Sequence, residues 1–174
     1  AGLINTNLTR QQLVHCISLT ESKKIIFGEE LTEPLNEVRT ELTLEDGKDY
    51  LYVRDTGTDP APNWATELDS SDTNSSGDNP PESRQVETAN TAFYIFTSGT
   101  TGLPKAARVS HRRMLPAARM SATALLRIKQ SDCMYNCLPL YHGTGLMIGL
   151  TAAFTVGAST VVRRRLSVSA FWDD

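Results

Sequence analysis

The sequence predicts an α/β fold, a mostly parallel sheet flanked by helices, and three observations carry that prediction. Short apolar runs alternate with helical stripes from residue 2 to residue 53, the order expected of strands covered by helices. An apolar run, Ala92-Phe93-Tyr94-Ile95-Phe96, then breaks into hydroxyls and glycines and resumes as a second short apolar run, giving strand, loop and strand. Further on, two more strand-like runs bracket a segment, residues 143–162, that contains no charged residue.

Taken in order, residues 2–8 read as a short buried strand. Thr9 is placed to cap a helix through Leu13, Val14, Cys16, Ile17 and Leu19, whose spacing is close to 3.6. Residues 23–27 form the next strand, closed by Gly28. Residues 31–42 follow as a helix with Leu31, Leu35, Val38 and Leu42 on one face and acids on the other. Tyr50-Leu51-Tyr52-Val53 is a third strand. From 55 to 83 the composition turns to Asp, Ser, Asn, Thr, Gly and Pro, which predicts a long surface loop with Trp64 pinning one turn. The predicted organisation is therefore 1–54, a strand–helix–strand part; 55–90, an acidic polar loop; and 91–174, the remainder of the same domain.

Ser110 is placed to cap a helix over 111–126, with Met114, Leu115, Ala118, Ala122 and Leu125 inward. His111 in its first turn reads as structural. Residues 134–138 form a strand. The unbroken apolar stretch 146–156 is too short to cross a membrane, so it reads as a buried helix whose Gly145 and Gly149 allow close packing. Gly157-Ala158-Ser159 ends it, and 160–162 is a further strand. Arg163-Arg164-Arg165 reads as a solvated strand end, with CoA phosphates or an anionic membrane surface as alternative partners.

Composition is that of an ordinary soluble globular chain, 40% hydrophobic and 21% charged with net charge −3. The charge is unevenly placed. Residues 1–90 hold 17 acids and 7 bases, whereas 91–174 hold 3 acids and 10 bases, a basic half suited to a polyanionic ligand. Three cysteines, Cys16, Cys133 and Cys137, are an odd number, which argues against a disulfide framework and for a reducing, cytoplasmic compartment. No metal site is expected, because Cys133 and Cys137 lack a second Cys/His pair at zinc spacing. No basic-then-apolar leader opens the chain, and its start on Ala1-Gly2-Leu3-Ile4 reads as a piece of a longer protein.

The chemistry gathers in Thr97-Ser98-Gly99-Thr100-Thr101-Gly102-Leu103-Pro104-Lys105. Its glycines allow the backbone close to a ligand. Its four hydroxyls and amides supply donors for phosphate oxygens, and Lys105 adds a point charge. Pro104 and Ala106 stand where a Walker A loop needs Gly and Ser/Thr. Gly99 and Gly102 fall one short of a dinucleotide fingerprint. The remaining reading is a strand–loop–strand phosphate clamp, set against a plain flexible turn that Lys105 argues against.

This string resembles the signature loop of the adenylate-forming (AMP-binding) superfamily. Cys137-Leu138-Pro139-Leu140-Tyr141-His142 is similar to the family's next motif. Gly2-Leu3-Ile4-Asn5-Thr6-Asn7-Leu8 and Phe171-Trp172-Asp173-Asp174 are similar to its very-long-chain acyl-CoA synthetase, or fatty-acid transport protein, branch. The resemblance implies part of a layered α/β N-terminal domain and an ATP-dependent fatty acyl-CoA synthetase. Its ligands would be a fatty acid, ATP with Mg²⁺, and CoA; no nucleic acid is expected, and peripheral membrane association of the longer polypeptide is. It further implies that Thr97, Ser98, Gly99, Thr100, Thr101, Gly102 and Lys105 hold the β- and γ-phosphates. His142, which alone would read as a hydrogen-bonded core or loop residue, is implied to stand beside the acyl carboxylate and the α-phosphate as the catalytic residue. Gly143, Thr144 and Gly145 would line the mouth of the acyl site. The family's tyrosine-glycine-x-threonine-glutamate segment, ribose-binding aspartate, hinge and C-terminal lysine have no counterpart here, so the 174 residues alone are expected not to complete acyl-CoA synthesis. A fatty-acid uptake protein and a ligase for another carboxylic acid are the alternatives.

Overall fold

The computed structural model describes residues 1–54, 57, 59–68, 76–97 and 102–173. These fall into two compact units, one of residues 2–85 with 102–106, the other of Ala1 with 86–97 and 107–173.

The first unit contains β1 (Gly2–Leu3), α1 (Arg10–Leu19), β2 (Ile25–Gly28), α2 (Thr32–Val38), β3 (Tyr50–Val53) and β4 (Thr66–Glu67). Strands β2, β3 and β4 form a parallel sheet in that order, with Ile25 opposite Tyr50 and Leu51 opposite Thr66. Parallel neighbours need a crossover, and α2 supplies the one from β2 to β3. Its interior is a cluster of Leu13, Ile17, Phe27, Leu35, Val38, Tyr50, Tyr52 and Trp64. The alternating burial along β3 puts Tyr50 and Tyr52 on the same inward face.

Three expectations change in this unit. The strand predicted over 2–8 stops at Leu3, because Asn5 folds its side chain back onto the Asn7 amide (2.9 Å) and turns the chain. Thr9 makes no side-chain cap; the chain enters α1 through Arg10 at φ 49°, a left-handed entry in place of the usual capped geometry. The helix predicted over 31–42 is a short α-helix between two 3₁₀ turns, Glu29–Leu31 and Arg39–Glu41, with Leu35 and Val38 buried as the stripe requires.

The polar stretch after β3 is not all surface. Trp64 is buried, stacked on Phe27 with centroids 5.3 Å apart and edge-on to Tyr50 at 5.2 Å. The Gly47 amide donates to its carbonyl at 2.7 Å, and the Tyr52 hydroxyl donates to Asp59 O at 3.0 Å. A single large aromatic thus draws a hydrophilic segment into the core and seats β4 beside β3.

In the second unit are β5 (Thr91–Thr97), the 107–110 part of β6 (Lys105–Ser110), α3 (His111–Met120), β7 (Cys133–Asn136), α4 (Thr151–Val156) and β8 (Ser159–Val162). Here β5 and β6 are sheet neighbours, and β7 pairs parallel with β8, Cys133 opposite Ser159 and Asn136 opposite Val162. Helices α3 and α4 pack on each other. Ser110 makes no side-chain cap either, because the first-turn amides are already taken: His111 N donates to Asn90 O at 3.1 Å and Arg112 N to Thr88 O at 2.7 Å. The predicted 111–126 helix carries Pro116 and widens into a π-turn over Ser121–Leu125. That widening shifts the helical phase at its end, and Leu125 is exposed; Leu115, expected inward, is exposed too, while Ala118 and Ala122 are buried as expected.

The charge-free segment is helical as predicted, a π-helical stretch over Thr144–Leu150 running into α4. It ends at Gly157, whose φ of 72° lets the Ala158 amide reach back to Ala153 O at 3.0 Å. Among the described residues no helix is long and apolar enough to cross a membrane.

Candidate functional site

The hydroxyl–glycine string leaves the second unit at Thr97, the exposed last residue of β5. Ser98, Gly99, Thr100 and Thr101 lie outside the described residues. The chain is described again at Gly102, which is exposed with φ 89° and has open space where a side chain would stand. Its glycine is therefore needed for backbone conformation, not for room. Leu103 and Pro104 follow, and Lys105 opens β6 with an exposed side chain.

This exit arm, residues 102–104, is held from α1. The Gln12 amide donates from Nε2 to Gly102 O at 3.4 Å, and His15 Nε2 lies 2.9 Å from Pro104 O. Gln12 and His15 are three residues apart on one helix face, while Leu13, Cys16 and Ile17 of the same helix are buried. The arm is thus tied to an element whose other face is fixed in the core.

His142 is exposed and closes a tight turn after β7. Its amide donates to Pro139 O at 3.1 Å, and its carbonyl accepts from the Leu146 amide at 3.0 Å, so the turn runs directly into the helical stretch. The His142 and Tyr141 rings are 5.0 Å apart. A Cβ at Gly143 would stand 3.5 Å from Ile95 Cδ1. The turn bearing His142 therefore lies against β5, the strand that leads to Thr97.

Gly145 does not leave space for a ligand. It is buried under the carbonyls of Leu138 and Pro139, and a Cβ there would stand 2.8 Å from Leu138 O. The expectation that it lines an open mouth is corrected: its missing side chain lets the helix start close under the turn. The reader of that turn is Asn136, 3% exposed at the end of β7. Its Nδ2 donates to Gly145 O at 3.0 Å and its Oδ1 accepts the Leu138 amide at 3.3 Å. Its own carbonyl accepts from Arg163 N at 3.0 Å. Gly149 faces this amide so closely that a Cβ would come within 2.7 Å of Nδ2. The sequence signal for Asn136 was a lone polar residue among strand formers; for Gln12 and His15 it was polarity at helical spacing opposite the apolar stripe.

Among the described residues no three metal-ligating side chains gather. A shallow cleft of about 560 Å³ in the first unit is lined by Ile17, Ser18, Glu21, Lys23, Leu42 and Asp49 among others, and by none of the described residues of the hydroxyl–glycine string.

A family model described as AMP-binding enzyme matches residues 3–174. The chain is 39% identical to long-chain fatty acid transport protein 2 of Rattus norvegicus over 98% of its own length and 27% of that protein's. It is 33% identical to the medium/long-chain-fatty-acid–CoA ligase FadD6 of Mycobacterium tuberculosis over all of its length and again 27% of the relative's. The chain thus spans about a quarter of the length of these curated relatives. Among solved structures, an anthranilate CoA ligase in complex with anthranoyl-AMP superposes with a TM-score of 0.74 at 20% identity, over 96% of this chain and 30% of that one. An ATP-bound MatB from Rhodopseudomonas palustris gives 0.66 at 18%, over 98% and 31%. At these identities the structures speak for the fold alone.

Proposed function

The chain belongs to the AMP-binding enzyme family, and from that premise we propose that it forms the phosphate-holding and carboxylate-facing part of an ATP-dependent fatty acyl-CoA ligase. In this reading a fatty carboxylate attacks the α-phosphate of Mg-ATP, pyrophosphate leaves, and CoA thiol then displaces AMP from the acyl-adenylate. Mg²⁺ enters with ATP as part of the substrate. A carboxylate nucleophile needs no general base, so the work of the first step is positioning and charge neutralisation. Thr97, Ser98, Gly99, Thr100, Thr101 and Gly102 would donate to the β- and γ-phosphates and Lys105 would neutralise them. His142 would orient the carboxylate beside the α-phosphate.

The observation that carries the reading is the seat of the His142 turn against β5, through Gly143 and Ile95. It supports the reading because the turn assigned to the carboxylate lies beside the strand that leads toward the string assigned to the phosphates. The basic balance of residues 91–174 supports a polyanionic substrate. A cytoplasmic location with peripheral attachment to membrane fits a fatty substrate and unpaired thiols.

The test is acid-dependent pyrophosphate release by a polypeptide of the relatives' full length that carries this segment. Long-chain fatty acids are expected to support release, and Lys105→Ala to lower kcat/KM for ATP by about 100- to 1,000-fold. Release with aryl acids and not with fatty acids would replace the substrate assignment. A second reading, fatty-acid uptake as the primary role, is favoured by the 39% identity to a long-chain fatty acid transport protein. It gains if uptake persists in a Lys105→Ala, Thr100→Ala variant that no longer turns over ATP.

A further inference from the structure

Pro104 and Lys105 share one peptide plane, so whatever fixes the Pro104 carbonyl also fixes the direction in which the Lys105 backbone leaves it. His15 Nε2 sits 2.9 Å from that carbonyl, and Gln12 Nε2 reaches the Gly102 carbonyl at the other end of the arm. Both contacts bridge about ninety residues of sequence, the separations being 89 and 90. Arm residues 102–104 belong to no helix or strand, so their carbonyls stand outside the strand ladders among the described residues. A carbonyl can only accept, so His15 must present Nε2–H to it, and Gln12 must present its amide NH₂.

We propose that His15, assisted by Gln12, is a positioning residue for ATP: it holds the arm whose end aims Lys105 at the departing phosphates. The proposal rests on reading residues 97–105 as the phosphate loop. The helix is suited to the task because Leu13, Cys16 and Ile17 lock its opposite face into the core, and a clamp on a rigid element loses little freedom when the ligand binds. The more buried and shorter His15 contact carries most of the effect; the exposed 3.4 Å Gln12 contact carries less.

The experiment uses the full-length polypeptide and measures KM for ATP, for fatty acid and for CoA, together with the thermal midpoint. His15→Phe keeps the ring and removes the donor. It is expected to raise KM for ATP about tenfold while KM for fatty acid and CoA stay within twofold. His15→Gln, which restores an N–H, is expected to return KM for ATP to within about threefold of the parent, and Gln12→Ala to raise it about two- to threefold. If the Phe variant does not fold, His15→Asn, a polar residue whose shorter amide falls short of Pro104, carries the same expectation. An unchanged KM for ATP, equal changes in all three constants, or a lowered midpoint with no kinetic split would overturn the clamp. Lys105→Ala separates the two levels. If it impairs ATP use and His15→Phe does not, the clamp alone fails; if Lys105→Ala leaves ATP use intact, the phosphate loop itself is misread and the clamp falls with it.

Discussion

The first unit fills its interior with rings, whereas much of the second closes on residues that have almost no side chain. Phe27, Tyr50, Tyr52 and Trp64 touch one another in the first, in edge-on and stacked pairs with centroids 5.2 to 5.7 Å apart. The buried residues of the second include Ala118, Ala122, Ala152, Ala153 and Ala158, with Gly145 and Gly149 pressed on a turn and on Asn136. Phe93, Val109 and Leu146 add larger apolar side chains to it, but Met120, Leu125 and Phe154 are exposed. The difference teaches that these cores are vulnerable in opposite directions. A core made of ring volume suffers when atoms are removed; a core made of backbone approach suffers when atoms are added.

The largest effect tests the first half of that contrast. Trp64→Ala removes a ring that touches Phe27 and Tyr50 and lies under Arg39, whose guanidinium carbon is 5.7 Å from the ring centre. The expected loss is about 3–5 kcal/mol in urea unfolding. The matched deletion in the second unit, Ala152→Gly, is expected to lose only about 1 kcal/mol. Similar losses from both would mean that the two interiors are filled alike.

The second prediction runs the other way, by adding one methyl. Gly149→Ala places a carbon 2.7 Å from Asn136 Nδ2, closer than real contacts allow, and is expected to destabilise by about 1–3 kcal/mol. Asn136→Ala alone deprives the Gly145 carbonyl and Leu138 amide of their partner, a loss of about 1–3 kcal/mol. In the double variant the new methyl enters the space the amide vacates. The two losses should therefore add to less than their sum, which a double-mutant cycle measures. Strict additivity would sever the link between Gly149 and the turn that carries His142.

How much of this was legible in the sequence follows the same division. Periodicity reports large apolar side chains, so the strands at Ile25–Gly28 and Tyr50–Val53 and the inward Leu35 and Val38 could be read directly. The stripe through α1 was equally plain in Leu13, Cys16 and Ile17. Trp64 was expected only to pin a turn of a surface loop, because the stretch around it is mostly Asp, Ser, Asn, Thr, Gly and Pro and carries no apolar period. In the second unit, alanines and glycines carry little hydrophobic signal. The π-turn at Ser121–Leu125 breaks the 3.6 period that placed Leu125 inward, and Leu125 is exposed. The site divides likewise. Lys105, Gly102 and His142 stand out as residue types in a motif. Asn136, Gln12 and His15 act through backbone carbonyls that only the fold brings within reach. Both expected N-caps failed for one reason: a competing arrangement, the Arg10 entry in one helix and the Thr88 and Asn90 carbonyls in the other, displaced the hydroxyl.

The smallest effect separates the units by their thiols. Cys16 is fully buried in the first unit, whereas Cys133 is exposed and Cys137 half-buried in the second. Burial pushes the Cys16 thiol from 9.0 up to about 11, because the apolar surroundings disfavour the thiolate. The folded state therefore keeps its proton at pH values where the unfolded chain has lost it. Its contribution is fully present below about pH 9, shrinks as pH rises, and is lost by about pH 11; at pH 10 the penalty is about 1.4 kcal/mol. Cys16→Ala should flatten the fall in unfolding free energy between pH 8 and pH 10 by about that amount. Alkylation at neutral pH should label Cys133 first and reach Cys16 only through opening of the ring-filled core. If Cys16 were alkylated as fast as Cys133, the first unit would be opening far more readily than its aromatic packing implies, and the contrast between the two interiors would lose its energetic meaning.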